Sequence, residues 1–198
     1  MRQEMMYASS NNFTGDVVRG YGVNRAIVTR QAAVAIRRVN DELKQEGLGL
    51  LIYDAYRPTK AVGAFLEWRH KPDSQWHKEK YYPDLNKDQL FQSPTKYIFP
   101  GKSSHSRGST LDLTLYQLDT GLPLNMGSPV DFFGHISHTD DRNVDSEARD
   151  NRQHLKNIME GNWFVNYPNE WWHYTLKDEP FKDEYFDFDY PQETQNNT

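Results

Sequence analysis

Among 198 residues there is no cysteine, which excludes disulfides and thiolate metal sites and leaves the redox compartment open. No apolar run approaches the ~20 residues that span a bilayer. Lys and Arg, 23 together, are outnumbered by 28 Asp and Glu, for a formal net charge of −5. With no basic stripe, nucleic acid is not an expected partner. Repeats, low-complexity tracts and domain linkers are also missing, so residues 1–198 read as one domain, long enough to bury a sizeable core. The opening MRQEMMYASS has neither a signal-peptide pattern nor a helical period. It reads as the end of a strand behind an initiator Met. As written, the chain is expected in the cytoplasm, or in the periplasm if an upstream signal peptide has been removed.

What the chain does contain centres on Ser103–Asp112, SSHSRGSTLD. His105 is followed seven residues later by Asp112, and Gly108 between them can supply a bend. From Leu111 to Tyr116 the residues alternate, with Leu111, Leu113 and Leu115 on one face and Asp112, Thr114 and Tyr116 on the other. One imidazole and one carboxylate on a folded-back segment suit Zn²⁺, which accepts nitrogen and oxygen donors together. A hairpin whose His and Asp only hydrogen-bond would explain the same ten residues. The later Glu170-Trp-Trp-His173 favours the metal, because His173 can be the third ligand of a catalytic zinc that keeps one position open for water. Glu170 is then free to act as general base. A Glu-x-x-His pair in a regular strand would face opposite ways, so Glu170 is expected in a turn before the strand straightens.

The motifs Asn12-Phe-Thr-Gly15, Tyr53-Asp-Ala-Tyr-Arg-Pro58, Ser103–Gly108 with Leu111–Leu115, Met126-Gly127 with Asp131-Phe132, and Glu170–His173 together resemble the zinc D-alanyl-D-alanine dipeptidases of the vancomycin-resistance type (the VanX family). These belong to the D,D-peptidases that share the Hedgehog-domain fold. The likeness runs over about residues 7–176, and it departs at Thr110, where the family pattern usually has alanine. It implies one Zn²⁺ per chain on His105, Asp112 and His173, with Glu170 as base and Arg57 stabilising the oxyanion. It further implies Asp131 on the substrate ammonium, Ser103 on the substrate carboxylate, and Asn12–Gly15 in the cleft wall. The implied substrate is the small dipeptide D-Ala-D-Ala. A D,D-carboxypeptidase or murein endopeptidase would share the zinc set, and a non-catalytic zinc-stabilised binding module is the rival from another class.

Around these motifs the sequence predicts a helix capped by Thr29 and running to about Glu46, with Gly47 as its stop. A buried strand follows over Leu48–Tyr53. Thr59 is expected to cap a second helix to about Arg69, and 71–102 reads as irregular, broken by Pro72, Pro83, Pro94 and Pro100. Asn86-x-x-Gln89 can start a helical turn. Ser146–Glu160 reads as a helix with Ala148, Leu155, Ile158 and Met159 inward, and Trp163–Val165 and Trp171–Leu176 as strands. His135-x-x-His138 has a metal-pair spacing but no third partner in sequence. Residues 181–198 read as a polar, acidic, flexible tail. The expected architecture is α+β, a central and mostly antiparallel sheet with helices packed on one side and the zinc cleft on the other.

Overall fold

The computed structural model describes residues 1–92 and 101–191; Pro94, Pro100 and the last seven residues of the tail lie outside them. Five strands form one sheet in the order β1 (Arg2–Gln3), β2 (Leu48–Asp54), β3 (Thr110–Gln117), β5 (His173–Leu176) and β4 (Phe164–Asn166). Only β1 pairs in parallel; the other three pairings are antiparallel. The architecture is thus the expected α+β one.

The leucine face of β3 builds the main core. Leu111, Leu113 and Leu115 are fully buried with Leu50 and Ile52 of β2. Against them packs α1 (Arg30–Gln45), whose Ala32, Ile36, Val39 and Leu43 form the buried stripe. Thr29 caps this helix by accepting from the Ala32 N–H. The second long helix, α5 (Ser146–Gly161), is capped by Asp145 and buries Ala148, Leu155 and Met159. Ile158 is only half-buried, and Arg152 takes an inward position instead.

Several boundaries differ from the sequence reading, each for a local reason. The helix α2 (Thr59–Trp68) begins with Thr59 inside it, since Pro58 occupies the cap position and no side chain caps the end. Its Val62 and Phe65 turn toward the cleft rather than the helical side of the sheet. Between Pro72 and Pro83 there is room for two turns of helix, α3 (Gln75–Tyr81), because neither proline falls inside them. Asn86 and Gln89 do make a reciprocal capping box at α4 (Lys87–Leu90). Strand β5 starts two residues late, at His173, and β4 one residue late, after Trp163 in a left-handed conformation (φ 70°).

The tail read as flexible is bound to the body as far as residue 190. Tyr190 is buried, its ring stacks 5.1 Å from Tyr21, and its hydroxyl donates to the Tyr56 carbonyl. The Phe186 N–H donates to the Ser106 carbonyl and the Thr59 N–H to the Phe186 carbonyl. Aromatic rings spaced two apart, at Phe186, Phe188 and Tyr190, give an acidic segment enough apolar surface to dock.

Gly108 and Gly127, like Gly15, have a φ of +77°, and the first two differ in surroundings. A Cβ on Gly108 would meet Thr29 Cγ2 at 3.4 Å, whereas one on Gly127 would meet Val144 Cγ1 at 2.6 Å and Cβ at 2.7 Å. Gly108→Ala is therefore expected to cost only the left-handed backbone penalty, about 1 kcal/mol. Gly127→Ala adds overpacking and is expected to cost roughly 2–4 kcal/mol. Urea denaturation midpoints of the two variants check this, and equal shifts would contradict it.

Candidate metal centre

The site is built on one cross-strand row. Asp112 pairs directly with His173 on β5 and with Asp54 on β2, and opposed residues in antiparallel strands point to the same side. Asp54 reaches this row only because the register slips between Ile52 and Asp54. With strict alternation it would join Leu50 and Ile52 on the opposite face. His105 enters from a 3₁₀ turn, Ser104–Arg107, that ends on left-handed Gly108. The bend expected at that glycine is what folds His105 back over Asp112.

The three ligand candidates converge. His105 Nε2 lies 3.2 Å from Asp112 Oδ2, His173 Nδ1 lies 3.0 Å from Asp112 Oδ1, and the two imidazole nitrogens are 3.4 Å apart. Ligands ~2.0–2.2 Å from one tetrahedral ion stand ~3.3–3.6 Å from each other; the two nitrogens meet that spacing and the two carboxylate distances fall a little short of it, so the three groups are close enough to share one small cation. Asp112 Oδ1 is buried and, among the described residues, makes no hydrogen bond despite the nearby imidazole. It is aimed at the space the three groups share. The outer nitrogens are already fixed. His105 Nδ1–H donates to the Ala55 carbonyl at 2.7 Å, leaving Nε2 with its lone pair inward. His173 Nε2 lies 3.2 Å from Ser104 Oγ. Such outer partners orient metal-binding imidazoles.

The electrostatics favour positive charge here. Burial alone would raise the Asp112 carboxyl, yet the two imidazoles hold it well below the usual carboxylate range. Burial would lower His173, but the adjacent Asp112 and Glu170 carboxylates outweigh it and push the imidazole up to about 10.

Glu170 stands beside the cluster without belonging to it. Its Oε2 is 3.3 Å from His173 Nδ1, and it sits in the turn before β5, with its N–H donating to the Tyr167 carbonyl. Arg57 is held by Asp54 Oδ2, which accepts from Nε at 3.0 Å and Nη2 at 2.7 Å. The guanidinium also lies over the rings of Tyr7 and Phe65, at 5.1 and 5.3 Å, and its Nη2 is 3.6 Å from Asp112 Oδ2. Arg57 thus makes a salt bridge to Asp54 and stands beside the ligand candidates.

His105, Asp112, His173, Glu170, Arg57, Ser103 and Asp131 all line one cavity of about 430 Å³. Ser103 Oγ accepts from the His105 N–H, so it caps the turn while still facing the cavity. Of the Asn12–Gly15 motif, Phe13 supplies the wall, whereas Asn12 is a buried loop tie bonded to Met6, Ser9, Thr14 and Asp16. His135 and His138 have ring centroids 4.9 Å apart, but among the described residues no third ligand joins them. Thr110 bonds Thr175 through their hydroxyls, a packing adjustment across β3 and β5.

Three contributors escaped the sequence reading. Asp54, which the sequence shows only as part of the Tyr53–Pro58 motif, is fully buried and accepts from the Tyr21 hydroxyl. Tyr7 lies in the cavity wall and its hydroxyl donates to Asp131 Oδ2 at 2.5 Å. Ser104 meets His173. Each acts through a partner distant in sequence, and no local pattern marks it.

The family described as D-ala-D-ala dipeptidase, Peptidase M15, matches residues 1–191. This chain belongs to that family. The chain is 46% identical to a D-alanyl-D-alanine dipeptidase of Enterococcus faecalis, over 95% of its own length and 92% of the relative's. Dipeptidases of Enterococcus faecium and Streptomyces coelicolor are each 42% identical over the same shares. The chain is accordingly an enzyme of the metallopeptidase class. Among the described residues no helix is long and apolar enough to cross a membrane.

The Asp131 carboxyl is an unusually weak acid for its type. Burial, then the charge of Asp112, pushes its carboxyl up to about 8, against the stabilising bond from Tyr7. A donor to the carboxylate favours the charged form. Tyr7→Phe is therefore expected to move the Asp131 midpoint further upward in a ¹³C-NMR titration of the carboxyl groups. An unchanged or lowered midpoint would contradict the contact.

Proposed function

We propose that the enzyme hydrolyses D-Ala-D-Ala to two D-alanines at a single Zn²⁺ held by His105, Asp112 and His173. The observation that carries this reading is Glu170, a carboxylate poised next to a three-ligand cluster and not needed as a ligand. Zinc, when bound, supplies Lewis acidity that brings the pKa of water toward ~7 and polarises a carbonyl.

The residues of the chain divide the remaining work. Glu170 takes the proton of the attacking water and passes it to the leaving nitrogen. Arg57 donates to the oxyanion as it forms. Its guanidinium is already fixed by Asp54 and two aromatic rings, so little reorganisation is needed at the moment of reaction. Asp131 accepts from the substrate ammonium, whose charge offsets the burial that holds its carboxyl up. Ser103, with its oxygen already accepting from His105, keeps its hydroxyl hydrogen for the substrate carboxylate.

A D,D-carboxypeptidase or murein endopeptidase would use the same ligands and base. Asp131 favours the dipeptide, because a stem peptide presents an amide where the dipeptide has its ammonium. The longer substrate would leave a desolvated carboxylate unpaired. A structural zinc module would have no use for Glu170.

Alanine release from D-Ala-D-Ala, N-acetyl-D-Ala-D-Ala and a murein pentapeptide tests the substrate. The expected kcat/KM for the acetylated dipeptide is at least roughly 10–100-fold lower, the worth of one charge-assisted hydrogen bond. Comparable values would leave a zinc hydrolase of the carboxypeptidase kind. Glu170→Ala is expected to retain zinc and to lose about 10²–10⁴ in kcat. Loss of zinc in that variant would make Glu170 a ligand instead.

A further inference from the structure

Arg152 is fully buried on the inner face of α5, in the stripe otherwise made by Ala148, Leu155 and Met159. Among the described residues no carboxylate lies within ion-pair distance of it. Its donors go elsewhere. Nε donates to the Met126 carbonyl at 2.7 Å, Nη1 to the His138 carbonyl at 2.8 Å, and Nη2 to Ser128 Oγ at 3.3 Å. Ser128 Oγ in turn accepts from Trp171 Nε1 at 2.9 Å, and the guanidinium lies 5.8 Å from the Trp171 ring.

Met126 and His138 are the two ends of the loop that carries Asp131. At its middle, Asp131 has a φ of 61°, a left-handed conformation uncommon for a non-glycine residue, though aspartate adopts it more readily than most. One planar fork thus ties both ends of a loop whose centre is left-handed and whose one titratable group in the cavity is Asp131. Within the loop, Ser137 Oγ donates to the Phe132 carbonyl, and the Trp171 N–H donates to the Ser137 carbonyl.

We propose that Arg152 is a positioning residue for substrate selectivity: by clamping the Met126 and His138 ends it holds Asp131 where a substrate ammonium can reach it. This rests on the reading of Asp131 as the ammonium acceptor. The Glu170 turn has two further ties of its own, its N–H donating to the Tyr167 carbonyl and its carbonyl accepting from Asn166 Nδ2, besides the contacts of Trp171 with Ser128 and Ser137. Weakening the clamp therefore reaches ammonium recognition before it reaches proton transfer.

The test uses the zinc-loaded enzyme and two ligands. One is D-Ala-D-Ala; the other is N-propionyl-D-alanine, the same skeleton with hydrogen in place of the ammonium, measured as a competitive inhibitor. Arg152→Lys keeps the charge but cannot donate in three fixed directions. It is expected to raise KM for the dipeptide about tenfold, with kcat within about threefold and the inhibitor's Ki within about twofold. Zinc content should stay at about one per chain. Should that variant fail to fold, Ser128→Ala removes one acceptor of the clamp and is expected to show the same split at roughly threefold. KM and Ki rising together, or neither moving in a folded variant, overturns the proposal. Asp131→Asn is measured alongside. If it too raises KM and spares Ki, the ammonium reading holds and Arg152 is judged on its own result; if it leaves KM unchanged, both fall.

Discussion

Two buried carboxylates sit side by side across β2 and β3, and most of the site can be understood as the means of keeping them there. Asp54 and Asp112 are register partners, both almost without solvent. Like charges directly opposite in a sheet repel, and burial strengthens that repulsion. Arg57 answers Asp54 at 2.7 Å and reaches toward Asp112 at 3.6 Å. His105 and His173 answer Asp112 from the other side. The same arrangement that makes the pair tolerable leaves a space ringed by two nitrogens and a carboxylate oxygen, a group that could hold a cation. Under the proposed zinc reading, folding constraint and metal chemistry are one requirement.

From this row outward, each layer fixes the next. The bulge after Ile52 aims Asp54 into the cleft; Tyr21 donates to Asp54, and Tyr190 stacks on Tyr21. The C-terminal segment thereby supports the arginine and the first histidine through two intermediates. It also bonds Ser106, within the turn that carries His105. On the opposite wall, the Asp131 loop is tied through Tyr7 at its centre and Arg152 at its ends. A hydrolytic site gains from such support because groups already in place need not reorganise as charge develops.

How much of this the sequence discloses depends on how local the cause is. His105, Asp112 and Gly108 are legible because a bend and a period-2 strand fix their geometry within ten residues. The place of Glu170 follows from the same period, since strand alternation would turn it away from His173. By contrast, the role of Asp54 hangs on a single extra residue in β2, and alternation alone puts that carboxylate on the wrong face. Arg152 occupies a helical position that reads as core; the acceptors that tolerate its charge lie 14 to 26 residues away. Composition misleads at the tail, where an acidic segment docks through three spaced rings. Proline count misleads at 71–92, where the prolines bracket α3 instead of interrupting it.

The claim on which everything else stands is that His105, Asp112 and His173 form one metal site required for hydrolysis. Stripping the enzyme with a chelator and titrating Zn²⁺ back, while following alanine release from D-Ala-D-Ala, measures it directly. The expected activity rises from near zero in proportion to added zinc and levels at about one ion per chain. Full activity in protein shown to be metal-free, or a plateau reached only at about two ions, would contradict it.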